Sequence, residues 1–186
     1  MVLALSAMAV LLGACGNGAG AGTGSTSSAG STSSASPTTQ APLPAGKYPS
    51  EIATMVCAKK AQVEIGDALG ERASVSKPTW VDHTYTCLYH YASGSFTMSV
   101  KELSSWSQTL SYFQARRSSL GFTGSLGNLG QGAFSTKNGS VIVRKDWKIL
   151  DVDIVGLPAN FGKPPTSRAD VAITIADVIL GCWAGD

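Results

Sequence analysis

Residues 85–101 read Tyr85-Thr86-Cys87-Leu88-Tyr89-His90-Tyr91-Ala92-Ser93-Gly94-Ser95-Phe96-Thr97-Met98-Ser99-Val100-Lys101. Both halves alternate with a period of two, the signature of half-buried strands. In the first half Tyr85, Cys87, Tyr89 and Tyr91 share one side. In the second, Phe96, Met98 and Val100 point inward and leave Ser, Thr and Lys on the other face. The small residues Ala92-Ser93-Gly94 supply the turn. The stretch is therefore an antiparallel hairpin with one apolar face and one polar face, and the polar face stays exposed unless a helix covers it.

Helices flank this hairpin. Upstream, Ser50 can cap a helix whose first turn carries Glu51. Ile52, Met55, Val56, Val63 and Leu69 form its apolar stripe and Gly70 its stop; Ala58-Lys59-Lys60-Ala61 is an alternative break that would make two shorter helices. Downstream, Ser105 and Gln108 form a capping box ahead of Trp106, Leu110, Phe113 and Leu120, a set that points Trp106 into the core, and Gly121 ends the helix. Gly127, Gly130 and Gly132 then mark a tight turn or bulge before the strand Ala133–Thr136. Asn138-Gly139 is a strong hairpin signal. Val141–Arg144 and Trp147–Val155 complete a meander with Asp151 and Asp153 on its polar side. A last helix starts at Ser167, boxed by Asp170, and runs through Val171–Leu180 with only Thr174 and Asp177 polar in its body, so most of its circumference must be buried. The order of elements predicts an α+β fold, an antiparallel β-sheet packed by about three helices.

Composition divides the chain. No charged residue precedes Lys47, although the 186 residues hold 14 Lys+Arg and 12 Asp+Glu. The reading is a segment 1–14, a segment 15–46, and a single α+β domain over 47–186, large enough to bury its own core. Gly16–Gly46 is almost wholly Gly, Ser, Ala, Thr and Pro, the composition of a disordered linker. Net charge is +2 with no basic block, which argues against nucleic-acid binding. Upstream, Leu3–Cys15 is an apolar run too short to span a bilayer. Its end, Leu12-Gly13-Ala14-Cys15, resembles the lipobox of bacterial lipoproteins. That resemblance implies a signal peptide over 1–14, acylation of Cys15, and attachment to the extracytoplasmic face of the cell membrane through the lipid. The run departs from the usual signal by having no Lys or Arg before it, and a plain secretory signal is the alternative.

Cys57, Cys87 and Cys182 remain once Cys15 is set aside; in an oxidising compartment they allow one pair and one leftover thiol. No C-x-x-C spacing occurs. Several short motifs, Cys57, Ala68-Leu69-Gly70, Tyr85-Thr86-Cys87-Leu88-Tyr89 and Leu129-Gly130-Gln131-Gly132-Ala133-Phe134, resemble those of the uncharacterised exported lipoproteins of actinobacteria. The resemblance spans Met55 to Trp183 and implies an α+β domain pinned by a Cys57–Cys87 disulfide, with Cys182 reduced and buried. It implies no chemistry. More distantly, the domain resembles the extracellular sensor domains of some actinobacterial receptor kinases.

The chemistry-bearing residues do not assemble into a site by sequence. His83, Cys87 and His90 spell a metal-like spacing, but His90 falls on the opposite strand face from the other two. Asp151 and Asp153 share a strand face about 7 Å apart and read as solvated charges rather than a calcium or acid–base pair. The glycines do not make G-x-G-x-x-G, and no G-x-S-x-G is present. The expectation is no enzyme, no cofactor and no metal. What remains is aromatic: Trp80 and Trp183 lie at element ends, and with Val171, Ile175 and Val178 of the closing helix they define a candidate cleft; the alternative is that the first helix and the glycine-rich loop cover that helix and close the core. The function read from the sequence is a membrane-anchored, non-catalytic domain that binds an apolar or wall-derived ligand or an envelope protein; the alternatives are an envelope-acting hydrolase or a plain secreted protein. The sequence leaves the oligomeric state open.

Overall fold

The computed structural model describes residues 42–183. Cys15, the signal segment and nearly all of the linker lie outside the described residues.

Two short helices open the domain, α1 (Glu51–Met55) and α2 (Lys59–Leu69). The break between them at Ala58 takes the alternative the sequence offered. Ser50 caps α1 by accepting from the Ala53 amide at 3.2 Å. The same residue donates its own amide to Glu102 Oε1 at 3.0 Å and its hydroxyl to the same oxygen, so the cap is fastened to the sheet. Gly70 ends α2 at φ +65, where a Cβ would stand 2.4 Å from the Lys163 carbonyl oxygen. Only glycine fits both demands.

Two short edge strands follow, β1 (Ser74–Val75) and β2 (Thr79–Val81), and then the hairpin β3 (Thr84–Tyr91) and β4 (Gly94–Glu102). Its register places Cys87 opposite Met98 and Tyr89 opposite Phe96. Helix α3 (Trp106–Leu120) is capped by Ser105, which accepts from the Gln108 amide at 3.2 Å. The chain then crosses to the far side of the sheet as β5 (Phe122–Leu126) and returns strand by strand through β6 (Gly132–Thr136), β7 (Val141–Lys145) and β8 (Lys148–Asp153). The Asn138-Gly139 hairpin joins β6 to β7, with Gly139 at φ +88. A small ladder of β9 (Asn160–Phe161) and β10 (Thr166–Ser167) leads into α4 (Arg168–Trp183), where Ser167 Oγ accepts from the Asp170 amide and donates to its carboxylate.

The main sheet has the order β1-β3-β4-β8-β7-β6-β5, with β2 also on β3, and every pairing is antiparallel. One face carries the larger core, in which Tyr89, Phe96, Met98, Val100, Leu150 and Val152 pack beneath α1, α2 and α4. The hydroxyl of fully buried Tyr89 donates to the Val56 carbonyl at 2.6 Å. The other face carries a smaller cluster, in which Phe113 of α3 packs on Phe134, Ile142 and Ile149 of the sheet. The expected polar face is therefore covered over part of its width.

Hydrogen bonds extend the packed domain slightly upstream of Lys47. The Ala45 amide donates to the Leu103 carbonyl, and the carbonyls of Gly46 and Lys47 bond to His83 Nδ1 and Trp80 Nε1, each at 3.0 Å. Two sequence expectations are corrected. Trp106 is 45 % exposed; it is the first residue of α3, and the Arg144 guanidinium of β7 stacks on its ring at 4.3 Å. Asp151 is not a solvated charge. Its side chain is only 16 % exposed and pairs with Arg116 of α3, because α3 lies over this part of the polar face.

Candidate functional site

Cys57 and Cys87 form the disulfide, with Cα atoms 5.8 Å apart. It ties the α1–α2 junction to the centre of β3. Cys182 is buried near the end of α4, where its thiol donates to Glu64 Oε2 at 3.0 Å.

The proposed cleft residues do not converge. Trp80 on β2 lies against β3, its indole tied to Lys47 and its ring edge-on to His83 at 5.8 Å. Trp183 is buried beside β7, where its carbonyl accepts from Lys145 Nζ. Strands β3 and β7 are separated by β4 and β8, which puts about 14 Å between them. Val171 and Ile175 are wholly enclosed in the main core and Val178 packs against it. The two tryptophans therefore edge no common cleft, and α4 gives this side to the sheet rather than to a ligand.

The opposite flank of α4 does border a recess, of about 320 Å³, lined by Ile173, Thr174 and Asp177 of the helix and by Leu126, Gly127, Asn128 and Leu129. The loop after β5 forms its other wall. Asn128 and Gly130 take positive φ, and the Gln131 amide donates to the Arg144 carbonyl at 2.8 Å. These fold the loop back so that Leu129, 6 % exposed, plugs into the main core. The floor is apolar, from Leu126, Leu129 and Ile173. The helical side of the rim carries the Thr174 hydroxyl, which donates to the Asp170 carbonyl, and the exposed carboxylate of Asp177. Such a site favours a ligand with an apolar body and a neutral or cationic head, and its volume lies at the lower end for small-molecule sites. Sequence reasoning singled out Thr174 and Asp177 as the polar stripe of an apolar helix, and the glycines as a turn. That the two meet is a matter of tertiary packing.

A second recess, about 410 Å³, lies over the disulfide between Thr54, Cys57, Ala58 and Gln62 on one side and Val75–Pro78 with Tyr85 on the other. Its Ser76 accepts or donates a hydrogen bond with His90 at 2.8 Å, the nearest approach to a nucleophile–base pair. Both groups are exposed on the sheet edge, and among the described residues no carboxylate orients the imidazole. In a Ser–His–Asp triad a carboxylate fills that position. His83 sits in the β2–β3 turn at φ +51, away from His90. Asp153 accepts from Ser140 Oγ and the Val155 amide on Oδ1, both at 3.1 Å, and Asp151 pairs with Arg116. Among the described residues no three His, Cys, Asp or Glu side chains gather as a metal site, and no helix is long and apolar enough to cross a membrane.

No protein family matches this chain, and neither a curated protein nor a solved structure matches it significantly.

Proposed function

We propose that this chain is an extracytoplasmic lipoprotein, held at the cell membrane by an acyl group on Cys15, whose α+β domain is a non-catalytic binding module. Its ligand is a small envelope-derived molecule with an apolar body. The observation that carries the binding reading is the apolar-floored recess between α4 and the loop after β5, with a single carboxylate, Asp177, on its rim. The anchor rests on the small-residue run ending in Cys15.

Both halves are testable. Gly127 lines the recess and has open space where a Cβ would stand, so Gly127→Trp adds bulk at its wall without a clash at the Cβ. Full-length protein extracted from cell envelopes in mild detergent should carry an added mass by native mass spectrometry, and Gly127→Trp should lose it. A wild-type protein that carries nothing, or a variant that keeps the mass, removes the binding reading. Separately, Cys15→Ser should move the protein from the membrane to the soluble fraction with unchanged circular dichroism. One acyl chain binds weakly by itself, and stable anchoring takes two signals or more, so a multiply acylated N-terminus should appear in the mass of the wild type. Retention of Cys15→Ser on the membrane would remove the anchor.

A further inference from the structure

Helix α4 carries two carboxylates, and only one of them serves the fold. Asp170 lies in the first turn and pairs with Ser167 at the cap. Asp177 lies further along the helix body, where it caps nothing, and among the described residues it joins no ion pair. The basic residue of α4, Arg168, is held by the carbonyls of Val155 and Leu157 at 3.2 and 3.0 Å. The helical neighbours of Asp177 on its own face are Ile173, Thr174, Leu180 and Gly181, none of them a cation. Asp177 stands instead on the rim of the recess beside α4, whose lining holds no lysine or arginine. The Thr174 hydroxyl, one turn before it, gives its proton to the Asp170 carbonyl, which leaves the oxygen able to accept. Across the recess the exposed side-chain amide of Asn128 can accept as well as donate.

Acceptors therefore border an apolar floor on both walls, and the sole charge of the lining is negative. An anionic head would meet that carboxylate with no cation to offset it, and a neutral head would leave the charge unanswered. An ammonium head fits both features, because its charge opposes Asp177 and its N–H groups only donate. We propose that Asp177 selects the head of the ligand, so that the recess takes an amphiphile whose apolar body ends in an ammonium group. This rests on the reading of the recess as a binding site, and it adds the charge class and the residue that reads it. At the rim both charges stay partly hydrated, so the selection is a few-fold in affinity, as for an exposed ion pair. The apolar body supplies the larger share of the binding.

Octylammonium, octanol and octanoate share one chain and differ in the charge of the head. Each is titrated into full-length protein in a neutral maltoside detergent, and binding is read by NMR from the backbone amides of residues 126–129 and 173–177. Every probe is compared between variants, so its partition into micelles cancels. Asp177→Asn should weaken octylammonium about four-fold, leave octanol unchanged and strengthen octanoate. Asp177→Lys should carry the same changes further, so that octanoate gains and octylammonium loses more than in Asp177→Asn. Asp177 is exposed, so neither change disturbs the fold, and Gly127→Trp should weaken all three probes. If none of them shifts those amides in the wild type, the binding reading falls and takes the head selection with it. If they bind but Asp177→Asn leaves octylammonium unchanged, or weakens the three alike, the head selection is overturned and the recess remains a binding site. Shifts indifferent to Gly127→Trp place the probes outside the recess and overturn both.

Discussion

Replacing both Cys57 and Cys87 by Ala should cost the domain ~3.5 kcal/mol, since closing a loop across 30 positions of sequence removes about that much chain entropy from the unfolded state. For a domain of this size the loss corresponds to a fall of about 10 °C in melting temperature. The bridge matters more here than its entropy alone implies, because α1 is five residues long and α2 begins after a break. Neither helix is long enough to persist without tertiary support. Besides the disulfide, the junction is held by Tyr89 through the Val56 carbonyl and by Gln62 through the Cys57 carbonyl at 2.8 Å. Reduction of the wild type should reproduce most of the loss without the cavity that Cys87→Ala leaves in the core. Calorimetry of oxidised, reduced and double-alanine protein separates the two contributions. Amide exchange in α1 should accelerate before that of β4. If reduction leaves the melting temperature unchanged, the disulfide is not a stabilising element.

The parts of the fold legible in the sequence were those specified locally. Ser50, Ser105 and Ser167 cap helices through bonds that span three residues. The β3–β4 alternation and the Asn138-Gly139 turn likewise act within one hairpin. The misread residues depend on what lies across from them. Period-two alternation put Asp151 on the polar side of β8, correctly, but it carries no information about α3 lying above. Helical spacing put Trp106 in line with Leu110 and Phe113, but it carries no information about the Arg144 guanidinium that lies against the ring. β1, β2 and β5 are too short or too irregular for periodicity to register, and they form only because β3 and β6 offer them an edge. The candidate cleft failed for the same reason. Trp80 and Trp183 share a position type, the end of an element, but sheet order sets their distance. The recess beside α4 was legible only as two unrelated oddities, a polar stripe and a run of glycines.

The second large effect should appear at Arg116. Burial pushes the Asp151 carboxyl above its ordinary value, and Asp153 adds to that, while the charge and hydrogen bond of Arg116 pull the other way without prevailing. Ionised Asp151 is thus a cost to the folded state that Arg116 offsets. Arg116→Met removes the offset and keeps the stem that packs under α3, so stability at neutral pH should fall by ~3 kcal/mol, the scale for stranding one member of a largely buried pair. The pH dependence gives the sign. A carboxyl whose folded pKa exceeds its unfolded value binds the proton more tightly when folded, so its contribution worsens as pH rises from the unfolded value through the folded one. In Arg116→Met that window extends further upward. The deficit relative to wild type should therefore be largest at neutral pH and shrink as pH falls through the ordinary carboxylate range and Asp151 takes up its proton. Arg116→Met combined with Asp151→Leu should recover most of the loss, because no buried charge remains and the α3 side of the sheet gains apolar contact with Ile142 and Ile149. Urea titrations of the three proteins across that pH range decide the matter. A deficit independent of pH, or a double variant as weak as the single, would mean that Arg116 acts by packing and that the charge pair does not hold α3 to the sheet.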